Sequence, residues 1–341
     1  MIPIEVTDTL LMDLDGVVYR GGLAVPHAVE SLNRAAAEGV RVGYITNNAS
    51  RTAATVAGQL SGYGLHTVAD DVVTSPQAAV RLLASKVPAP ATILVVGGEG
   101  LTSVLDEAGY TVTRSADDNP AAVLQGFHPS VGWAELAEAA FAIQANDLLW
   151  IATNTDWTIP LERGIAPGNG TLVSAVHTAV GKLAEVAGKP ERAIFDAAVE
   201  RFAAQAPLVV GDRLDTDILG ANNAQLPSAH VLTGIDGAKQ LLAAPEGQRP
   251  NFILDDLRGL FEPYPETVIE GRNVRVCNAV LHLAEDESTI TVVERGDNPT
   301  DLLRAGCAII WASGRLIYGF DVPTEIYDWD PRVQSVPGLG A

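Results

Sequence analysis

Cysteine, basic charge and long apolar runs are all scarce in this sequence, and each shortage removes a class of protein. Only Cys277 and Cys307 occur among the 341 residues, with no Cys-x-x-Cys and no nearby His/Cys cluster. They read as reduced, buried thiols, a single disulfide being the lesser alternative. Lys and Arg number 22 against 42 Asp and Glu, a formal net charge of −20. No general basic field therefore draws the chain to DNA, RNA or an anionic membrane, and an anionic substrate must be attracted locally. No stretch approaches the roughly 18 apolar residues of a membrane span, and Met1 to Leu10 lacks the marks of a secretory signal. The expectation is a cytoplasmic protein with neither nucleic acid nor membrane as partner, long enough for two or three domains.

What is present begins with the apolar run Leu10-Leu11-Met12, which ends abruptly in Asp13-Leu14-Asp15-Gly16. Such a run reads as a buried parallel strand whose carboxyl end opens into a site. On a regular strand Asp13 and Asp15 share a face, and two carboxylates that close repel unless a cation or a shared proton intervenes. A lone Asp-x-Asp is more often a capped turn, so the later chain decides. A helix from Pro26 to Gly39 follows, then an apolar strand Val40 to Ile45 that ends in Thr46-Asn47-Asn48. Strand, helix and strand make one βαβ unit, and small polar donors at the second strand end suit phosphoryl oxygens.

The alternation continues with a helix Thr52 to Gly62, strands at Val72, Thr92 to Val96, Ala121 to Gly126 and Leu148 to Thr153, and helices Leu101 to Ala108 and Trp133 to Gln144. Val95 to Gly100 is a tight strand-to-helix turn that does not fit a dinucleotide loop. A helix is expected from Leu172 to Ala187, ahead of Gly188-Lys189-Pro190. Another buried strand, Pro207 to Val210, then opens into Gly211-Asp212-Arg213-Leu214-Asp215-Thr216-Asp217. A strand end with Asp212 facing Asp13 makes a carboxylate pair able to hold Mg²⁺. Strands at Ala229 to Leu232 and from Phe252 complete the sheet, and Glu262 to Glu266 reads as a linker. Beyond it strands are expected over Val274 to Leu283, Thr289 to Val293, near Ile309 and over Leu316 to Phe320, with a helix Thr300 to Ala305. The final Pro337 to Ala341 reads as frayed.

Taken together and in order, Asp13-x-Asp15, Thr46, Lys189 and the Gly211-Asp212 run resemble the four motifs of the haloacid dehalogenase superfamily. Asn154-Thr155-Asp156, where the pattern usually has Asn-Pro-Asp, and Pro167-Gly168-Asn169-Gly170 are similar to its NagD-like branch, and Gly211 to Asp217 resembles phosphoglycolate and glycerol phosphate phosphatases. The resemblance covers roughly residues 7 to 261. It implies an α/β fold: a Rossmann-like parallel-sheet core over 1–76 and 184–261, an inserted α/β cap over 77–183, and, outside it, a small α+β module over 267–341. It further implies Mg²⁺-dependent hydrolysis of a small phosphate monoester, with Asp13 as nucleophile and Asp15 as acid/base. Thr46, Asn47, Lys189, Asn154 and Asp156 would bind substrate, and Asp13, Asp15 (through its carbonyl), Asp212 and Asp217 would serve the metal.

Glycerol 3-phosphate and 2-phosphoglycolate are the favoured substrates, with sugar phosphates or pyridoxal phosphate as alternatives and a phosphomutase or receiver-type signalling module further behind. The terminal module carries no catalytic motif. It is expected to serve stability or assembly, docking on the core or on a second copy of the chain in a homo-oligomer, and its loss after Phe261 is expected to spare turnover.

Overall fold

The computed structural model describes residues 1–161 and 163–329, and the chain divides into two compact units, residues 1–42 with 205–341 and residues 43–204. In the first unit four strands run parallel in the order Phe252–Leu254, Ser228–Val231, Pro207–Gly211, Thr9–Met12. The last three are buried at every position, as near-continuous apolar strands covered on both faces require. Helix Ala28–Ala37 buries Ala28, Ser31, Leu32 and Ala35, one stripe at helical spacing.

The terminal module belongs to this unit. Strands Thr267–Glu270, Asn273–Val276, Ala279–Leu283 and Ile290–Glu294 form an antiparallel sheet beside helix Pro299–Ala312, which Asn298 caps and Pro299 starts. Val274, Val276, Leu281 and Ile290 of the sheet and Leu302, Leu303 and Ile310 of the helix share one core with Leu214, Ile218, Leu241 and Ile253. The module thus docks on the parallel sheet. The hydrogen bonds agree: Arg304 Nε donates to Ile253 O at 3.0 Å and Trp311 Nε1 to Leu241 O at 3.2 Å.

Several expectations are corrected here. Ile309 lies in helix Pro299–Ala312, not in a strand, and Leu316 to Phe320 holds only a short 3₁₀ turn, Ile317–Gly319. The β-branched pair Ile309-Ile310 favours a strand locally, but burial of Leu302, Leu303, Ala305, Gly306, Cys307, Ile309 and Ile310 on a helix overrides it. The linker is anchored through Tyr264, whose ring meets Phe252 edge-on at 5.0 Å and whose hydroxyl accepts the Ile253 N–H. Both cysteines are free thiols, Cys307 buried as expected but Cys277 exposed in the turn between two strands. Pro337 to Ala341 lies outside the described residues.

Because the module's core is continuous with Leu214 and Ile218, ending the chain at Phe261 would uncover that core rather than spare the enzyme. The expected result is a truncated chain that is insoluble or melts without cooperativity, followed by circular dichroism. A well-folded truncation with full turnover would contradict the shared core.

In the second unit Gly43–Thr46, the greater part of strand Arg41–Thr46, pairs in parallel with Val72–Thr74. A five-stranded parallel sheet has the order Glu185–Val186, Leu149–Ala152, Ala122–Gln125, Thr92–Val96, Thr111–Thr113. Helices Ala53–Gly62, Ser75–Ala84, Glu99–Glu107, Trp133–Asn146, Asn169–Val180 and Arg192–Phe202 accompany these strands. The helix expected over Leu172 to Ala187 ends instead at Val180, because Gly181 adopts a left-handed φ of 70° and caps it. Glu185 and Val186 become the edge strand of the sheet. The hairpin Thr158–Leu161 with Gly164–Pro167 and the helix Arg192–Phe202 were not legible in the sequence pattern.

Candidate active site

Two neighbouring strands deliver the first carboxylates. Thr9–Met12 pairs with Pro207–Gly211 so that Met12 lies against Val210, and each strand runs straight into an aspartate. The Asp13 N–H extends the ladder by donating to Val210 O at 2.9 Å. Asp13 and Asp212 therefore leave the sheet side by side at its carboxyl edge.

Asp217 joins them by a different route. After Asp212 the backbone forms a π-helical turn, Leu214–Ile218, in which the N–H groups of Asp217 and Ile218 both converge on Arg213 O at 3.1 and 3.2 Å. The turn brings Asp217 back over the strand end, where its Oδ2 accepts the Arg213 N–H at 3.1 Å. This close approach needs Gly211, since a Cβ there would lie 2.2 Å from Asp217 Cβ. Ligand atoms of Asp13, Asp212 and Asp217 all lie within 4.8 Å of one another, while Asp212 and Asp217 are each only 1% exposed. Asp215 points away and pairs with Arg213 at 2.8 Å.

Three carboxylates so close repel strongly without a compensating cation. The donor set is all oxygen, with neither imidazole nor thiolate, which fits a hard divalent ion such as Mg²⁺ rather than zinc. Of the residues expected to serve the metal, Asp13, Asp212 and Asp217 bring their carboxylates together, while Asp15, expected to act through its carbonyl, has an exposed side chain outside that carboxylate group. Its peptide sits in a tight turn closed by Gly16 N–H donating to Tyr19 O at 2.8 Å, with Gly16 at φ 85°.

The loop Thr233-Gly234-Ile235-Asp236 went unnoticed in the sequence. Ile235 N–H donates to Asp212 Oδ2 at 2.6 Å and Asp236 N–H to Asp212 O at 3.1 Å. Thr233 Oγ1 donates to Gly16 O at 2.6 Å, so one loop holds both aspartate-bearing turns. Asp236 Oδ2 also accepts the Leu214 N–H at 2.7 Å, at the head of the π-helical turn, and burial raises the Asp236 pKa. Beneath it, buried His230 donates from Nε2 to Asp236 O at 2.9 Å while Nδ1 has no partner among the described residues. Burial holds His230 neutral, its pKa pushed down to about 4. The available signal was a third strand end, Ala229 to Leu232, followed by a Thr-Gly turn.

The residues expected to bind substrate lie in the second unit. Thr46 ends its strand, 7% exposed, and its hydroxyl accepts the Asn48 N–H at 3.1 Å. Asn47 Nδ2 donates to the Asp156 carboxylate at 3.1 and 3.3 Å and to Lys189 O at 3.0 Å, and its Oδ1 accepts the Lys189 N–H at 2.8 Å. Asn154 Nδ2 donates to Asn47 O at 2.7 Å and its Oδ1 accepts the Asp156 N–H at 3.2 Å. Lys189 is buried, 3% exposed. Thus Asn47, Asn154, Asp156 and the Lys189 backbone form one hydrogen-bonded web in which these side chains grip protein groups.

Comparison with known proteins identifies the family. A haloacid dehalogenase-like hydrolase family model matches residues 10–111 and a HAD-hydrolase-like model matches residues 186–260. The chain is 41% identical over 314 residues, 89% of its length and 86% of the relative's, to the D-glycerol 3-phosphate phosphatase of Mycobacterium tuberculosis. It is 36% identical to the glycerol-3-phosphate phosphatase of Gallus gallus, over 74% of this chain and 90% of that one. Among solved structures, a glycerol phosphate phosphatase of M. tuberculosis in complex with magnesium superposes with a TM-score of 0.80 at 39% identity, covering 92% of this chain and 93% of the other. A 4-nitrophenylphosphatase of Thermotoga maritima reaches 0.71 at 26% identity, covering 76% and 98%. With aspartates at two adjoining strand ends and relatives matched over most of their length, the chain belongs to the haloacid dehalogenase-like hydrolases.

Proposed function

We propose that the protein is a Mg²⁺-dependent phosphatase of small phosphate monoesters, with glycerol 3-phosphate as substrate ahead of 2-phosphoglycolate. The observation that carries the chemistry is the buried convergence of Asp13, Asp212 and Asp217. Support for the alcohol is the 41% identity to a D-glycerol 3-phosphate phosphatase across 89% of the chain. Asp13, Asp212 and Asp217 would hold Mg²⁺, which when bound supplies positive charge against the phosphate dianion and the carboxylates.

The chain's own residues carry the steps. An Asp13 carboxylate oxygen attacks phosphorus in line, forming an O–P bond as the bond from phosphorus to the substrate alkoxide breaks. Asp15, protonated, gives its proton to that alkoxide. Asp15, now a carboxylate, takes a proton from water as the water oxygen attacks the aspartyl phosphate, and the Asp13 O–P bond breaks to release phosphate. For Thr46 and Lys189 the support is their place in the family motifs: the hydroxyl and ammonium meet phosphoryl oxygens, and positioning with charge neutralisation supplies most of the catalysis. Asn47, Asn154 and Asp156 shape the segment that carries Lys189.

The same reading assigns residues 1–76 and 184–261 to the core, 77–183 to the cap and 267–341 to the terminal module. The separate five-stranded sheet spanning Thr92 to Val186 supports an inserted cap. Among the described residues no helix is long and apolar enough to cross a membrane, and the two free thiols suit the reducing cytoplasm.

The experiment is phosphate release from a panel of small phosphate esters before and after exhaustive chelation. Turnover should be highest with glycerol 3-phosphate, vanish with chelator and return with Mg²⁺. Full activity after chelation would overturn the metal assignment, and preference for a sugar phosphate or pyridoxal phosphate would overturn the substrate.

A further inference from the structure

We propose that Asn47 is a positioning residue: its side-chain amide fixes the backbone of Lys189 and so aims the buried ammonium, while making no contact with substrate. The inference rests on the phosphatase reading of Lys189 and deepens it.

The bonding capacity of the amide is the first argument. A carboxamide has two N–H donors and one carbonyl acceptor. In Asn47 the donors go to Lys189 O at 3.0 Å and to the Asp156 carboxylate at 3.1 Å, and the acceptor takes the Lys189 N–H at 2.8 Å. Neither donor is left for a phosphoryl oxygen, and the amide oxygen would repel one. The network also fixes the amide's orientation, since only the oxygen can accept from Lys189 N–H.

Geometry is the second. Gripping both the N–H and the C=O of a single residue fixes its rotation, and hence the direction in which its Cα–Cβ bond leaves the chain. Here the gripped residue is Lys189, 3% exposed, so its side chain starts from an immobilised root. The close fit continues on the preceding residue, where a Cβ at Gly188 would lie 2.5 Å from Asn47 Oδ1 and 2.4 Å from Thr153 O.

The third argument is the rigidity of Asn47 itself. Its carbonyl accepts from Ser75 Oγ at 2.8 Å and from Asn154 Nδ2 at 2.7 Å. Asn154 is anchored in turn by Asn169 Nδ2, which donates to its carbonyl at 2.7 Å. The web spans four chain segments around Asn47, Ser75, Asn154–Asp156 and Lys189, and a fixed frame of this kind is what an aimed ammonium requires.

A double-mutant cycle on the full-length, Mg²⁺-loaded enzyme tests this, with 4-nitrophenyl phosphate as substrate. Asn47→Ala should lower kcat/KM about 10²-fold, the cost of misplacing a group by about an ångström. Lys189→Ala should lose at least as much. The double variant should be no more than about threefold below Lys189→Ala alone, because with no ammonium there is nothing left to aim. General loss of folded enzyme would instead scale both backgrounds equally. If Asn47→Ala does not fold, Asn47→Asp keeps the size and the acceptor while losing both donors, and the same non-additivity is expected. Losses that multiply would overturn the positioning role alone. A wild-type enzyme that releases no phosphate would overturn the phosphatase reading and this proposal with it.

Discussion

Asp13→Asn is expected to reduce turnover by about 10⁴–10⁶-fold with every ester, the scale on which removal of a covalent nucleophile acts. The amide is nearly isosteric, and the backbone N–H of residue 13 keeps its 2.9 Å bond to Val210 O, so the fold should survive. What disappears is the attacking oxygen charge and one of three converging carboxylates. Asp15→Asn should behave differently. Its side chain is exposed and stands outside the carboxylate cluster, so under the proposed roles that cluster stays intact and proton transfer alone is lost, a role typically worth about 10²–10⁴-fold. That loss depends on the leaving group. 4-Nitrophenolate departs with little help, so the first step should persist with the aryl ester and fail with glycerol 3-phosphate. Equal loss with both esters would contradict the acid/base role of Asp15.

The second large effect lies at a residue that carries no side chain. Gly234→Ala places a methyl group 1.8 Å from Asp212 Oδ2 and 2.2 Å from its Cβ and Cγ. Asp212 is buried, 1% exposed. Either the carboxylate rotates away from Asp13 and Asp217, or the loop shifts and breaks the 2.6 Å bond from Ile235 N–H. Both outcomes displace the proposed metal ligand by about an ångström or more, a misplacement that costs about 10²-fold in rate. The Mg²⁺ concentration for half-maximal activity should rise in parallel. Gly16→Ala should act similarly, since its Cβ would lie 2.4 Å from the same oxygen and its φ of 85° disfavours any side chain. Isothermal titration with Mg²⁺ and initial rates against Mg²⁺ concentration read both effects. Wild-type metal affinity in Gly234→Ala would show that the loop does not hold Asp212.

The aspartates could be read from the sequence because a buried parallel strand is written as a plain apolar run, and Leu10 to Met12 and Leu208 to Val210 each stop at an Asp. That the two strand ends face one another was implied by the family resemblance, and the structure pairs those two strands directly. Other features depended on contacts far apart in sequence. Nothing local marks Gly234 as the wall of the Asp212 site, because the requirement is spatial and arises more than twenty residues away. Asn47 looked like a phosphate ligand from its place after Thr46, yet its amide is engaged by Lys189 and Asp156. Secondary structure erred where short-range preference and tertiary burial disagreed. Ile309-Ile310 looks like a strand but packs on a helix, and the apolar spacing that continues past Gly181 belongs to a sheet edge at Glu185–Val186.

The central claim is that phosphate passes through a covalent bond to Asp13. Asp15→Asn, loaded with Mg²⁺ and 4-nitrophenyl phosphate and then quenched in acid, traps that intermediate because water activation is the step it has lost. Mass spectrometry of the peptide containing Asp13 should show phosphate on Asp13 and on no other residue, and none in the Asp13→Asn control. Release of 4-nitrophenol with no phosphopeptide, or with phosphate on a different side chain, would contradict the account.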